Sequence, residues 1–273
     1  CSGPVRSVPN KGYLALPRAR AHGEAVLGMY AERDMRKVCD RVIPLVSDMK
    51  WLSRGDSVFV KLACNSPNAH PAVTAPKAVT ALVSYLKDHG AGAIFVGDQA
   101  GVEHVRLTRT MRKSSTREMM AKNGLLAAIR KSGAKPHFFD EHGWRGYFRP
   151  PHDFPNHWDR QVFLPRIVQH VDHIINLPRF STHALAGYTC AIKNAVGWLR
   201  DDSRFVLHHR GGSFFEKMAE LTHFKPLRDK MRFTLTLASQ ALTVIGPDFG
   251  GKHDFDGTAV LVVPIDAEAP AGR

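Results

Sequence analysis

The chain has 273 residues, a hydrophobic fraction of 44% and a formal net charge of +13. This length and composition suit one large domain with a sizeable core, and no apolar run approaches the roughly 18 residues of a membrane span. The positive charge favours anionic partners. Because the basic residues are scattered and no nucleic-acid-binding motif occurs, we expect a small anionic molecule rather than a specific nucleic acid.

The cysteines limit which clusters the chain can carry. Cys1, Cys39, Cys64 and Cys190 lack the two-residue spacing of zinc ribbons and ferredoxin loops, so we expect no chain-borne ferredoxin-type cluster. Sequence alone does not choose among their disulfide pairings. An N-terminal Cys1 is what a processed lipoprotein displays, and a trimmed chain looks the same. A lipid anchor at Cys1, with an extracytoplasmic location in the periplasm or at the membrane, is therefore one of two open alternatives.

The ends of the chain differ from its middle. Residues 1–22 contain several prolines and little periodicity, which predicts an extended leader. We expect one α/β domain over residues 23–266 and a flexible tail over residues 267–273. Within the domain, apolar positions three or four apart predict a first helix over Glu24–Leu52, which Pro44 kinks or divides.

Short apolar strands and helices then alternate along the chain. The predicted strands are Ser57–Ala63, Ala93–Val96, Pro136–Phe139, His173–Leu177, Phe233–Ala238 and Thr258–Ile265. The predicted helices are Pro76–His89, Ser114–Ser132, Val162–Val171 and Tyr188–Leu199, with a long loop from Asp140 to Asp159. This order predicts an α/β fold: a mostly parallel sheet with helices on both faces, in a single large domain.

Polar residues follow the predicted strands, at the edge where parallel sheets bind ligands. The most prominent are Lys61, Cys64, Asp98 and His183. A neutral imidazole at a strand end is a candidate general base or metal ligand, which applies to His183. Cys64 follows a strand near Lys61, which would lower the pKa of its thiol and make it a candidate catalytic residue or metal ligand. A buried structural cysteine is the alternative.

Lys193 and Asn194 lie inside an otherwise apolar predicted helix. A lysine there is costly unless it is paired or faces a cavity, so Lys193 is a catalytic candidate, with a snorkelling lysine as the alternative. Two glycine-rich turns could present backbone N–H groups to an anion, although neither matches a P-loop or a dinucleotide fingerprint. The candidate cofactor-binding residues are Asn65, Asn194, Gly97, Gly101, Gly250 and Gly251.

Fifteen histidines is a high number, and several crowd the span from His137 to His183. No pair has the helical spacing and glutamate of the metalloprotease motif. Surface or core-capping histidines are therefore the alternative to a metal site, and a metal ion remains a candidate cofactor at His183 and Cys64.

The order of these segments resembles the family called domain of unknown function 362. The resemblance covers about residues 55–252 and rests on Val60-Lys61, Asn65, His70-Pro71, Gly90-Ala91, Val96-Gly97-Asp98, Asn176-Leu177-Pro178, Thr182-His183, Lys193-Asn194-Ala195-Val196-Gly197, Gly246-Pro247 and Gly251-Lys252. It implies an α/β domain, often exported and sometimes joined to a ferredoxin module. It also implies a distant likeness to lactate racemase, whose chemistry uses a nickel-bearing nucleotide cofactor.

The chain departs from the family pattern in two places. It lacks the ferredoxin cysteines, and Ser239 stands where an acidic residue is common, which argues against electron transfer and against a carboxylate role there. We expect an enzyme that performs a metal- or cofactor-dependent redox or proton-transfer reaction on a small anionic organic substrate. In it His183 is the base or metal ligand, and Lys193 and Lys61 stabilise charge. The alternative is an exported, non-catalytic protein that binds a metal or an anion at the same loops.

Overall fold

The computed structural model describes residues 28–159, 161–209, 212–243, 246, 248 and 250–264. The strands are β1 Val58–Leu62, β2 Ile94–Asp98, β3 Arg106–Leu107, β4 Arg112–Lys113, β5 Lys135–Phe138, β6 Tyr147–Phe148, β7 Leu164–Pro165, β8 His173–Leu177, β9 Ser181–His183, β10 Gly187–Thr189, β11 Met231–Thr243 and β12 Gly251–Pro264. The α-helices are α1 Met35–Val46, α2 Pro76–Asp88, α3 Thr116–Lys122, α4 Leu125–Lys131, α5 Ile167–His170, α6 Ala191–Asn194, α7 Asp201–His209, α8 Phe214–Glu220 and α9 Lys225–Arg228. Short 3₁₀ turns cover Phe139–His142, Trp144–Gly146, Ala195–Trp198 and Leu221–His223.

One eight-stranded sheet organises the chain, in the order β10-β9-β11-β8-β1-β2-β5, with β12 beside β11. β1 runs parallel to β2 and β8, β2 runs parallel to β5, and β11 runs parallel to β8 and β9. The pairs β9–β10 and β11–β12 are antiparallel. The predicted α/β fold, with a mostly parallel sheet in a single domain, is confirmed.

Side chains alternate across β1 and so separate two apolar cores, as the period of two in a strand requires. Val58, Val60 and Leu62 pack into the core that contains residues of α1 to α4. Phe59 packs into the opposite core, with residues of α5, α7, α8 and α9. Helices therefore cover both faces of the sheet, and Lys61 lies on the same face as Phe59.

Two predicted helices have different bounds in the structure. α1 begins only at Met35, because the Asp34 side chain accepts the first free backbone N–H groups and caps the helix there. Pro44 lies in the last turn of α1 and does not divide it. The helix predicted over Ser114–Ser132 is two helices, because Gly124 adopts a left-handed conformation, with φ of 86°, between α3 and α4.

The prediction of one helix over Tyr188–Leu199 is wrong in its first part. Strand β10 occupies residues 187–189, α6 is a single turn, and a 3₁₀ turn follows it. The helix predicted over Val162–Val171 reduces to the short strand β7 and the single turn α5. The sequence pattern also does not predict α7, α8 and α9, because helices of nine residues or fewer show few repeats of the helical period.

Several sequence predictions concern parts of the chain that the structure does not describe. The leader over residues 1–22, the lipid anchor at Cys1 and the tail over residues 267–273 lie outside the described residues. Among the described residues, no helix has the length and hydrophobicity needed to cross a membrane. Cys39, Cys64 and Cys190 are free and buried.

Candidate functional site

A pocket lies where β1 and β2 end and where the chain leaves β8, with about 480 Å³ of space including solvent at its mouth. Its lining residues are Lys61, Ala63, Cys64, Asn65, Asp98, Gln99, Arg179, His183, Thr189, Lys193, Asn194, Val196, Gly197 and Arg204. The structure thus brings together all five predicted catalytic residues. Parallel pairing explains this, because it places the carboxyl ends of β1, β2 and β8 at one edge of the sheet.

The floor of the pocket is an ion pair between Lys61 and Asp98. The Lys61 Nζ atom lies 2.6 Å from Asp98 Oδ1, and both side chains are buried. Nζ also donates to the carbonyl oxygens of Leu62, at 2.6 Å, and Asn194, at 3.2 Å. Burial lowers the pKa of Lys61, while the charge of Asp98 acts in the opposite direction. Because an ammonium group has three donors and all three are used, Lys61 has none left for a substrate.

The carboxylate oxygens of Asp98 also accept hydrogen bonds from within the protein. Its Oδ2 atom accepts the backbone N–H of Cys64, and its Oδ1 atom accepts that of Gln99, both at 2.8 Å. A Cβ atom at Gly197 would collide with Lys61 Nζ and Asp98 Oδ1, so this position requires glycine for the 3₁₀ turn to lie against the ion pair. The roles of charge stabilisation for Lys61 and catalysis for Asp98 are therefore replaced by a structural role.

Asn194 and Asn65 are also held by the protein. Asn194 Nδ2 donates to Asn176 Oδ1 at 2.6 Å, which joins α6 to β8. Asn65 Nδ2 donates to Asp248 Oδ2 at 2.7 Å. Both residues line the pocket, but these contacts use the NH₂ groups of their side-chain amides within the fold.

Cys64 is not the activated thiol that its sequence position predicts. Its side chain is buried, and Sγ accepts a hydrogen bond from Asn123 Nδ2 at 3.4 Å. Burial, with the charge of Asp98 beside it, raises the pKa of the Cys64 thiol to about 12. The charge of Lys61 does act to lower this pKa, as the sequence predicts, but desolvation outweighs it, and the thiol is not activated.

The wall of the pocket contains a second, looser ion pair. Arg179 Nη1 lies 3.8 Å from Asp248 Oδ1, and both side chains are buried. Neither of these two atoms has a hydrogen-bond partner within the described part of the chain. Burial lowers the pKa of Arg179, against the attraction of Asp248. The sequence analysis did not predict Arg179 as a site residue, although Arg179 follows the end of β8 as Cys64 follows the end of β1.

Arg204 adds a positive charge without a carboxylate partner among the described residues. Its guanidinium donates to the carbonyl oxygens of Ala100, Gln99, Gly197 and Leu199, at 2.7 to 3.1 Å. Backbone dipoles therefore satisfy its hydrogen bonds but do not cancel its charge. Sequence reasoning missed it because it lies in α7, which has too few turns for its period to be recognised.

Lys193 lines the pocket, and its side chain makes no hydrogen bond or ion pair with the other described residues. Burial, together with the charges of Arg204, Arg179 and Lys61, lowers the pKa of Lys193 to about 8. A substantial fraction of its side chain is a neutral amine at slightly alkaline pH, and an amine can accept a proton. Of the two alternatives for Lys193, the structure favours the one in which it faces a cavity.

His183 has a defined protonation pattern. Its Nδ1 atom accepts the backbone N–H groups of Leu185, at 3.1 Å, and Ala186, at 3.3 Å. Because Nδ1 is the acceptor, the proton of the neutral ring must lie on Nε2. Burial, followed by the charges of Lys193 and Arg179, lowers the pKa of His183 to about 4. At neutral pH His183 is therefore a hydrogen-bond donor at Nε2, an arrangement that does not favour the predicted role of general base.

The predicted metal site at His183 and Cys64 does not fit the residues present. Among the described residues, no group of three or more His, Cys, Asp or Glu side chains could hold a metal ion. The proton on His183 Nε2 and the protonated thiol of Cys64 remove the two predicted ligands. We therefore derive no step through a metal.

The four glycines that the sequence predicts to bind a cofactor lie outside the pocket lining. A Cβ atom at Gly97 would collide with the His137 carbonyl oxygen, and one at Gly101 would collide with Asn65 Oδ1, so both serve close packing. Gly250 and Gly251 are exposed at the start of β12. The glycines therefore do not form the phosphate site that a nucleotide cofactor would need.

The balance of charge in the pocket favours an anion. The lining contains one carboxylate, of Asp98, and Asp248 pairs with Arg179 from outside the lining, against four cationic side chains of the lining: Lys61, Arg179, Lys193 and Arg204. Low-dielectric surroundings strengthen this excess, because buried charges are poorly screened by water. The site can bind a small anion and offers it one amine that can exchange a proton.

Two solved structures resemble this fold at 11% sequence identity. The lactate racemase apoprotein from Thermoanaerobacterium thermosaccharolyticum has a TM-score of 0.50, with 84% of this chain and 53% of that chain covered. A structural-genomics protein from Thermotoga maritima has a TM-score of 0.46, with 85% of this chain and 54% of that chain covered. The chain spans about half the length of these structures, and at such low identity the likeness concerns the fold alone.

Comparison at the level of sequence assigns the family. No curated protein matches the chain. The family model described as Domain of unknown function (DUF362) matches residues 58–262, a range that contains every residue lining the pocket. Because this match covers most of the chain, the protein belongs to the DUF362 family.

Proposed function

We propose that the pocket binds a small organic carboxylate and that the protein transfers a proton on it. The observation that carries the proposal is Lys193, an amine without an ionic partner among the described residues, in the same pocket as the buried guanidinium of Arg179. Neither the Lys193 amine nor Arg179 Nη1 has a hydrogen-bonded carboxylate among the described residues. A bound carboxylate supplies this partner. A carboxylate does not by itself make the neighbouring C–H group acidic, so a base positioned by the protein must take the proton.

Arg179 is the anchor for the carboxylate. Its Nη1 donor is unused by the described residues, and the 3.8 Å separation from Asp248 Oδ1 is longer than a hydrogen bond. A hydrogen bond between charged partners contributes about 1.5–3 kcal/mol. Arg204 strengthens the attraction through its field while its own donors stay on backbone carbonyl oxygens.

Lys193 and His183 then divide the chemistry. The neutral amine of Lys193 takes a proton from the carbon next to the carboxylate. The C–H bond breaks, an N–H bond forms, and the electron pair is delocalised onto oxygen as an enolate-like anion. The Nε2–H group of His183 donates a hydrogen bond to that oxygen. Return of the proton from Lys193 to the carbon restores both partners. These groups move protons, so of the two reaction types expected from the sequence we favour proton transfer.

The likeness in fold to a lactate racemase supports a small carboxylate as the substrate class, and lactate belongs in the first panel of compounds. The test uses short 2-hydroxy acids in D₂O and follows loss of the proton signal at the carbon next to the carboxylate. Lys193→Met should abolish exchange, and binding of the acid, measured by titration calorimetry, should persist.

Two outcomes would contradict the proposal in different ways. Binding of acids without exchange for any of them would favour the alternative, a non-catalytic anion-binding protein. Absence of binding for the whole panel, in protein shown to be folded by circular dichroism, would contradict the pocket itself as an anion site.

A further inference from the structure

Exposed apolar side chains concentrate in the stretch of chain that also supplies the pocket residues from Arg179 to Arg204. Of the eight large apolar residues that are exposed among the described residues, six fall between residues 180 and 215. We call them the apolar rim: Phe180, Leu185, Tyr188, Ile192, Phe205 and Phe215. Their exposed fractions run from 41% to 67%, so each keeps much of its surface in water. Single exposed apolar residues are ordinary, whereas a concentration at one site marks a binding surface.

Several residues of the apolar rim are chain neighbours of residues that line the pocket. Tyr188 and Ile192 directly precede the pocket residues Thr189 and Lys193 along the chain. The backbone N–H of Leu185 donates to His183 Nδ1, at 3.1 Å. α7 and α6, which carry Phe205 and Ile192, both pack against α8, which carries Phe215. An occupant of the pocket that extends past its mouth therefore meets apolar side chains.

The chemistry changes sharply between these two parts. Inside, Arg179 and Lys193 offer positive charge, and Arg179 Nη1 has no acceptor among the described residues. Outside, the rim offers hydrocarbon and aromatic rings. A ligand that satisfies both parts has an anionic end and an apolar end, because apolar area is removed from water only where apolar groups meet.

We propose that the ligand of this pocket is an amphiphilic carboxylate, whose head lies at Arg179 and Lys193 and whose apolar chain lies across the apolar rim. The proposal rests on the proposed function for the position of the carboxylate and adds the class of acid. Each methylene that moves from water onto the rim contributes up to about 0.8 kcal/mol, which is about a fourfold gain in affinity. Partial contact with an open rim gives about twofold per methylene by the same scale.

The experiment measures the affinity of acetate, hexanoate and decanoate, each below its micelle concentration, by NMR titration of the acid. Affinity should rise with chain length in the wild-type protein. In the Tyr188→Ser/Ile192→Ser variant, decanoate should fall toward the affinity of acetate, while acetate itself binds as before. Phe205→Ser/Phe215→Ser tests the same surface from α7 and α8, so the result does not depend on one variant folding.

The chain offers a matched control away from the apolar rim. Met29 and Met111 are 54% and 55% exposed, close to the 54% of Ile192. Met29→Ser/Met111→Ser removes similar apolar surface and should leave all three affinities unchanged. An equal loss of decanoate binding in this control would overturn the proposal, because the effect would then be general.

Three other results would also overturn it. Equal affinity for the three acids would remove the apolar chain from the ligand and leave the proposed function intact. No binding of any acid would contradict the proposed function as well. Binding to phosphatidylglycerol vesicles that the rim variants lose, with no dependence on chain length, would assign the rim to a membrane surface instead.

Discussion

The pocket contains two buried ion pairs that differ in how well the protein satisfies them. In the floor, Lys61 and Asp98 lie 2.6 Å apart, and backbone groups occupy their remaining donors and acceptors. In the wall, Arg179 and Asp248 lie 3.8 Å apart, and the two facing atoms have no hydrogen-bond partner among the described residues. Burial is common to both pairs. Unused hydrogen-bonding capacity is what separates a charge that holds the fold from one that is available to a ligand.

The physical reason lies in desolvation. Removing a charge from water costs several kcal/mol, on the order of the whole stability of a domain, unless hydrogen bonds replace the lost water. Contacts from β1, α6 and the loop after β2 replace that water around the floor. The described residues do not replace that water around Arg179, so a bound carboxylate would supply the hydrogen-bond acceptor that is missing there.

The largest expected effect tests the floor. Asp98→Asn leaves the buried ammonium of Lys61 without its counter-charge, and the free energy of unfolding should fall by about 3–5 kcal/mol. Urea denaturation followed by circular dichroism measures it. The double variant Lys61→Met/Asp98→Asn should lose less than Asp98→Asn alone, because it removes the unpaired charge. A single variant within about 1 kcal/mol of wild type would mean that the floor is not structural.

A substitution in the wall should change ligand binding more than it changes stability. Arg179→Met should weaken carboxylate binding by about 10- to 100-fold, since a charged hydrogen bond is worth about 1.5–3 kcal/mol. The free energy of unfolding should fall by less than in Asp98→Asn, because the pair is looser and Asp248 keeps its hydrogen bond from Asn65 Nδ2. Arg228→Met is the matched control, since Arg228 pairs with Asp153 at the surface, and it should leave binding unchanged. A large loss of stability with intact binding would reverse the assignment of floor and wall.

The pH dependence of stability tests whether Lys193 lacks an ionic partner in the folded protein. Its folded-state pKa of about 8 lies below its ordinary value of 10.5, so between these pH values the unfolded chain binds more protons than the folded one. The free energy of unfolding of the wild type should therefore rise with pH across that window, relative to Lys193→Met. Denaturation series at pH 7, 8, 9 and 10 for both proteins measure the difference. A difference independent of pH would contradict the partly buried, unpaired state of Lys193.

The smallest effect concerns His183. Its pKa of about 4 lies below the ordinary 6.5, so stability from this group is present above pH 6.5 and is lost as pH falls toward 4. Nitrogen-15 NMR of the imidazole at pH 6 should show a neutral ring with the proton on Nε2 and an acceptor at Nδ1. His183→Gln provides the assignment. A signal for the opposite tautomer would restore His183 as a candidate base.

Much of this site follows from the sequence alone. The strands β1, β2 and β8 are apolar runs followed by polar residues, and the helix between β1 and β2 requires a parallel crossover. Local patterns therefore predict that Lys61, Asp98 and His183 meet at one edge of the sheet, and the structure places all three in one pocket. Periodicity and strand order carry this information, because both are properties of neighbouring residues.

The sequence by itself determined the parallel centre of the sheet and the edge at which the polar residues gather, because these depend on the local alternation of apolar side chains. Only the tertiary structure decided what each polar residue can do. Lys61 donates a hydrogen bond to Asn194, which lies 133 positions away along the chain, and Cys64 accepts one from Asn123, which lies 59 positions away. Hydrogen-bond satisfaction and desolvation depend on groups that are remote along the chain, so no local pattern contains them.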